Sequence, residues 1–251
     1  MSEEVKMLTG LMELLPKRII FHNLETAQYM RIILRMMGKS DLERSLIWKG
    51  CSPFDYHDIG KAYIPEDLFT YTERFNITQE HVMMAHVHHG QQIFREIRKM
   101  NPLAGGFAEA GEMIALYHHE CYDGSGYPEG LSGEAIPFLA RVCAVANAFT
   151  GMQRDSVLLP SRSFEESLSV LEAHAGTWFD PEIVDVFVGE TLKELKTERE
   201  LRRLREIKSQ KPAEVFIPDS IDESELDALF KQNIQSNSKR QSIKKTSRKP
   251  G

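Results

Sequence analysis

Apolar residues in this chain recur at three- and four-residue spacing, and no run alternates with a period of two. The pattern therefore predicts helices and no strand. From about Leu24 to Met37, Leu24, Ala27, Ile32 and Leu34 mark one amphipathic face, and Gly38 stands where a helix end favours glycine. Ser52-Pro53 opens a short helix, with Ser as cap and Pro in the first turn, which places His57-Asp58 inside it. Pro65 marks the next break. Thr78 is expected to cap a helix from Gln79 to about Lys99, closed by Asn101-Pro102. After Gly105-Gly106 a further run leads through Met113, Leu116 and Tyr117 into His118-His119.

Four glycines and two prolines between Gly124 and Pro137 require an irregular loop. Helical patterning resumes from Phe138 to about Phe149. Ser163-Phe164-Glu165-Glu166 reads as a capping box, and Asp180-Pro181 opens the last long helix. Beyond about Lys208 the character changes. Residues 209–220 carry two prolines and read as a linker, Glu223–Phe230 is a short amphipathic candidate, and the basic end from Lys239 to Lys249 reads as disordered. The expectation is an all-α domain over residues 1–208 and a flexible C-terminal tail over 209–251.

Composition narrows the class. At 251 residues there is room for one substantial domain and an appendage. A net charge of −6 gives no reason to expect a nucleic-acid polymer as partner. Cys51, Cys121 and Cys143 are odd in number and unpaired in spacing, which points to a reducing compartment. The acidic start Met1-Ser2-Glu3-Glu4 argues against a signal peptide, and no stretch nears the ~18 apolar residues of a membrane span. A cytoplasmic protein is expected.

Nine histidines, several beside an acid or another histidine, are the candidate chemistry. Imidazoles and carboxylates drawn from several helices build dinuclear metal sites, with one Asp able to bridge both ions. Two ions ~3.5–4 Å apart activate water and stabilise both oxygens of a phosphoryl displacement. By itself His57-Asp58 is a common dipeptide. For His118-His119, one of two adjacent helical residues usually points away from any given site.

The longer strings decide. His57-Asp58-Ile59-Gly60-Lys61 with Ile64-Pro65, and His118-His119-Glu120-Cys121-Tyr122-Asp123-Gly124-Ser125-Gly126-Tyr127-Pro128 with Ile136-Pro137, closely resemble the HD-GYP family. These are helical, metal-dependent phosphodiesterases of cyclic dinucleotide signalling. His22-Asn23-Leu24-Glu25, Ala85-His86, Phe138–Val142 and Gly176–Pro181 extend the resemblance across residues 15–190. It implies an HD-GYP-type helical bundle with a dinuclear metal site. His22, His57 and Asp58 would hold one ion. Asp58, as bridge, would hold the second with His86, His118 and His119. Lys61 would lie near the attacking water or the scissile phosphate, and Gly126, Tyr127 and Pro128 would line the substrate pocket. Mixed imidazole and carboxylate ligation suits two divalent ions, iron or manganese.

Three departures stand out. The family's last ligand is an aspartate, and here the matching position is Asn147, whose amide oxygen brings no charge to the first metal. A phosphate-gripping arginine is missing at position 156, with Arg154 and Arg162 as nearby substitutes. Arg18 replaces the glutamate of members with a third metal, so two ions are the expected maximum. His81, His88, His89 and His174 are expected at the surface or behind the ligands. Cys121 is expected to pack, and Tyr122 and Trp178 to sit in the core. The segment 220–230 looks like a docking peptide for a receiver domain, against the plainer reading of a helix capping the core. The leading expectation is a phosphodiesterase hydrolysing cyclic di-GMP by metal-activated hydroxide. The alternative is a weak or inactive module that binds metal, nucleotide and signalling partners.

Overall fold

Helices that cross near His57-Asp58 make up the fold. The structure is a computed structural model that describes residues 1–70, 73–154 and 160–189, all in the first of the chain's two units, Met1–Phe216. Every regular element among the described residues is helical; only two isolated bridges, Trp48–Cys51 and Ala175–Phe179, have β pairing. The all-α expectation holds. The expected linker, the 220–230 segment and the basic end lie outside the described residues.

Helix α1 spans Glu3–Glu13, α2 Lys17–Met36 and α3 Ser40–Leu46. Two 3₁₀ turns, Pro53–Tyr56 and Ile59–Tyr63, precede the short α4, Asp67–Thr70. Then come α5, Ile77–Met84, α6, His86–Met100, and α7, Gly105–Tyr117. After the irregular loop follow α8, Phe138–Met152, α9, Phe164–Ala173, and α10, Pro181–Val188. Helix α6 packs along α7, α2 along α8, and α7 against α8.

The core lies where α2, α8, α9 and α10 meet. Phe149 of α8 is fully buried and takes edge contacts from Tyr29, Phe164 and Phe187 at ring distances of 4.9, 5.2 and 5.0 Å. Burying one such aromatic stabilises by about 1.5–3 kcal/mol. Two caps fall where the sequence places them. Ser163 makes a full capping box with Glu166, and Asp180 accepts from the Glu182 and Ile183 amides.

Other boundaries differ, for physical reasons. Helix α2 begins at Lys17 rather than near Leu24, because its buried positions in this part include the polar Asn23 and Thr26, which hide the apolar rhythm. The expected helix over 79–99 is two helices. Asn76, not Thr78, caps the first in a box with Gln79, and the axis breaks at Ala85. There His86 Nδ1 reaches the Met83 carbonyl at 2.6 Å, an oxygen that a continuous helix would offer to the Val87 amide. His57 and Asp58 are not inside a helix but at the junction of the two 3₁₀ turns.

Gly60 fixes that junction against α6. A Cβ on it would stand 2.0 Å from the His86 carbonyl oxygen and 2.4 Å from the Gly90 nitrogen. Gly60→Ala is therefore expected to destabilise the fold by about 3 kcal/mol, through overpacking against backbone. Gly10→Ala in α1, with nothing within 4 Å, should instead stabilise by about 0.5–1 kcal/mol. Urea titrations of the two variants check both signs.

Candidate metal centre

The turn Pro53–Tyr56 is capped by Ser52 Oγ and delivers His57 and Asp58 to the point where α2, α6 and α7 come together. Asp58 is almost wholly buried, and its two oxygens face different partners. Oδ1 lies 3.2 Å from His86 Nε2 and 3.6 Å from His118 Nε2. Oδ2 lies 3.5 Å from His57 Nε2 and accepts from Lys61 Nζ at 2.5 Å. Five imidazoles surround this carboxylate. Ring centroids are 5.3 Å apart for His22–His57, 5.2 Å for His57–His118, 5.2 Å for His86–His119 and 4.2 Å for His118–His119.

Donor atoms gather into two sets that share Asp58. One is His22, His57 and Asp58; the other is Asp58, His86, His118 and His119. Within each set the atoms lie within 4.8 Å of one another, so each set could hold a metal ion. The hydrogen bonding fits such an occupant. His57 Nδ1 and Nε2, Asp58 Oδ1, His86 Nε2 and His118 Nε2 are buried with no hydrogen-bond partner. Buried polar atoms are otherwise almost always paired. His118 Nδ1 faces the Ile114 and Ala115 carbonyls at 3.0 and 3.1 Å, and His86 Nδ1 faces Met83. A carbonyl only accepts, so those Nδ1 atoms carry the proton and each Nε2 lone pair points at Asp58.

The electrostatics disfavour the charged form of four of these imidazoles. Burial pushes His22 down to about 4; Asp58 opposes the shift, and Lys61 and Arg154 reinforce it. Burial likewise holds His57 and His119 well below the usual imidazole value and lowers His86. Burial alone would raise the Asp58 carboxyl. The Lys61 ammonium outweighs that and holds it well below the carboxylate range.

Asn147 joins the first set. Its Oδ1 lies 2.6 Å from His22 Nε2, while Thr150 of the same helix bonds Thr26 Oγ1 at 3.0 Å. Arg154 is held aside. Its guanidinium donates to Glu25 Oε2 at 2.7 and 3.2 Å and to the Arg18 carbonyl at 3.0 Å. Position 156 lies outside the described residues, and the Arg162 backbone N–H donates to the Met152 carbonyl.

The glycine-rich loop folds over His119. Tyr127 stacks on the His119 ring at 4.8 Å and 13°, and its amide donates to the His119 carbonyl. The Tyr127–Pro128 bond is cis. Gly126 is forced by space, since a Cβ there would lie 2.2 Å from the Cys121 nitrogen. Burial, then Asp58, raises the Tyr127 hydroxyl above its ordinary value.

Glu120 was not among the expected site residues. Its buried carboxylate accepts from the amides of Glu129 and Gly130 through Oε1 and of Leu131 through Oε2, at 2.8, 3.1 and 3.1 Å. A loop short of regular structure leaves amides unpaired, and an acid just before it is the signal that could have been read.

Trp178 corrects another expectation. It is 46% exposed and stacks on His174 at 3.6 Å, because its turn gives backbone carbonyls to the Tyr122 and Asp123 amides and turns the indole outward. Tyr122 is half-buried. His81 and His88 are exposed, and His89 is half-buried against Tyr63.

The model of the HD domain family matches residues 20–183. Among curated relatives, a cyclic di-GMP phosphodiesterase response regulator of Xanthomonas campestris is 33% identical over 62% of this chain and 39% of its own length. A cyclic di-GMP phosphodiesterase of Thermotoga maritima is 32% identical over 58% of this chain and 36% of its own. The 3'3'-cGAMP-specific phosphodiesterase 2 of Vibrio cholerae is 28% identical over 66% and 30%. The chain thus spans two fifths or less of the length of these relatives. A crystal structure of a cyclic GMP-AMP specific phosphodiesterase from Vibrio cholerae shares the fold, with a TM-score of 0.50 and 20% identity over 92% of this chain and 59% of that one.

Two outcomes follow from the geometry. Glu120→Ala strips three amides of their acceptor and should destabilise by about 1–3 kcal/mol. Hydrogen exchange should then rise first at residues 129–131, and unchanged protection there would contradict the anchoring role. For the metal-free protein, an imidazole depressed by folding binds its proton more readily in the unfolded chain. Stability is then whole above about pH 6.5 and falls as pH drops below it. For His22 the loss runs from there to about 4. Urea midpoints at pH 7 and 5 should show the decline.

Proposed function

The chain belongs to the HD domain family, as a member of its HD-GYP type, and from that premise we propose that it is a metal-dependent phosphodiesterase that hydrolyses cyclic di-GMP. The observation that carries this reading is the Asp58 carboxylate, shared by two histidine sets in which the Nε2 atoms of His57, His86 and His118 are buried without a hydrogen-bond partner. His22, His57, Asp58 and Asn147 would hold one divalent ion, and Asp58, His86, His118 and His119 a second, iron or manganese by ligand type. Such ions supply positive charge to a phosphate and acidify water.

The chain's own groups do the rest. Burial disfavours protonation of His22, His57, His86 and His119, which readies these rings as ligands. Lys61, 17% exposed, holds Asp58 Oδ2 and presents a point charge to a substrate phosphate. Tyr127, Gly126 and Pro128 form the wall beside His119, where Tyr127 could stack on a base or donate to a phosphate. The names of the relatives support a cyclic dinucleotide as substrate, with cyclic di-GMP ahead of cyclic GMP-AMP. Residues 1–208 would form the catalytic unit, and 220–230 would dock a receiver domain. Among the described residues no helix is long and apolar enough to cross a membrane, which accords with a cytoplasmic enzyme.

Asn147, a neutral amide beside His22, favours a second reading: a module that binds metal and nucleotide with little turnover. A hydrolysis assay separates the two. Purified protein with Mn²⁺ or Fe²⁺ should convert cyclic di-GMP to the linear dinucleotide, faster than it converts 3'3'-cGAMP. Asp58→Asn and His118→Ala should each lower the rate by about a thousandfold or more. An inert wild type beside an active Asn147→Asp variant would establish the second reading.

A further inference from the structure

Resting on the dinuclear reading above, we infer that the two halves of the centre load in a fixed order and with unequal affinity. The His86, His118 and His119 half takes its ion tightly. The His22, His57 and Asn147 half takes a second ion weakly, so the protein holds one ion when divalent metal is scarce and two only when it is plentiful. Activity that needs both ions then follows metal supply.

Three observations point the same way. The first is the division of the carboxylate. Asp58 is the only acid in either set among the described residues, and its two oxygens are not equivalent. Oδ1, which faces His86 and His118, has no hydrogen-bond partner; Oδ2, which faces His57, already accepts from the Lys61 ammonium at 2.5 Å. An ion in the His57 half must share that oxygen with a cation, and like charges close together repel.

The second is orientation. His86 and His118 are held by backbone carbonyls through Nδ1, so their Nε2 atoms are aimed before any ion arrives. Fixed second partners of this kind raise metal affinity. His57 has neither nitrogen bonded. His22 Nε2 is engaged by Asn147 Oδ1 at 2.6 Å, a bond that an ion taking that nitrogen would replace.

The third is charge. The oxygen that Asn147 sets beside His22 belongs to a neutral amide and brings no negative charge to the first half. Affinity for hard cations rises with the charge of the ligand set.

Metal titration of the stripped full chain tests this without an activity readout. Calorimetry with Mn²⁺ should resolve a tight step and a step weaker by about tenfold or more. Electron paramagnetic resonance should show isolated ions below one equivalent and exchange-coupled pairs only above it. Asn147→Asp should tighten the weak step by about tenfold and leave the tight step unchanged. Asn147→Ala, which needs no new charge in the fold, should weaken or abolish the second step alone.

Two equal steps, coupled pairs below one equivalent, or a second step indifferent to both substitutions would overturn unequal loading while leaving the dinuclear centre intact. Failure to bind any Mn²⁺ or Fe²⁺ would overturn the dinuclear reading, and this inference with it.

Discussion

Everything around the centre depends on keeping one carboxylate buried and ionised. An isolated carboxylate taken out of water carries a penalty of several kcal/mol, and it persists only with close compensating partners. For Asp58 the protein supplies the Lys61 ammonium three residues on. Lys61 is a local partner whose placement needs only the 3₁₀ turn. His86 and His118 are not local, and α6 and the end of α7 must both reach Asp58 for them to arrive. The close contact of Gly60 with the His86 carbonyl is the steric counterpart of this electrostatic demand. Any side chain at position 60 would lift the Asp58 turn off α6 and part the carboxylate from His86.

The loop after His119 answers a different constraint. Its backbone has no regular partner, so its amides must find acceptors elsewhere. Glu120 collects three of them, and the Gly176–Phe179 turn offers carbonyls to the amides of Tyr122 and Asp123. A loop held at both flanks can keep Tyr127 flat on His119 without help from secondary structure. A buried acid outside both donor sets thus helps to fix where Tyr127 stands.

Helix class, the capping box at Ser163, the Asp180 cap and the irregular loop were all legible, because each rests on local chemistry that the sequence states directly. The grouping of His22, His57, Asp58, His86, His118 and His119 was readable only through the long motif strings. Nothing in the spacing of those residues says that His22 of α2 and His86 of α6 come to the same carboxylate. What stayed hidden was hidden by function. The start of α2 could not be read because Asn23 and Thr26 occupy buried positions that a core helix would give to apolar residues. The break at Ala85 goes with the His86 imidazole taking a main-chain carbonyl, and no propensity scale registers that. Trp178 was expected inside because a large indole usually is. Here its turn commits the backbone and leaves the ring to cover His174.

The α2–α8 seam shows how such a centre can drift without the fold failing. Along it run His22–Asn147, Thr26–Thr150 and Glu25–Arg154, polar pairs about one helical turn apart. Thr150 Oγ1 also lies 3.4 Å from His22 Nδ1, which links the first two pairs, while Glu25 and Arg154 pair apart from them. Asn147 keeps its bond to His22, and its helix remains seated on α2 through the threonine pair. The packing of α8 rests on the opposite face, where Val142, Val145 and Phe149 fill the core. An acid-to-amide difference at position 147 therefore falls on the charge presented to a bound cation and hardly at all on the architecture. The α6–α7 side has no such freedom. His86 and His118 are tied to main-chain carbonyls through Nδ1, so their aim at Asp58 is set by the backbone of α6 and α7. The half of the centre next to Asn147 can be tuned, and the half next to His86 and His118 is fixed by the fold that holds it.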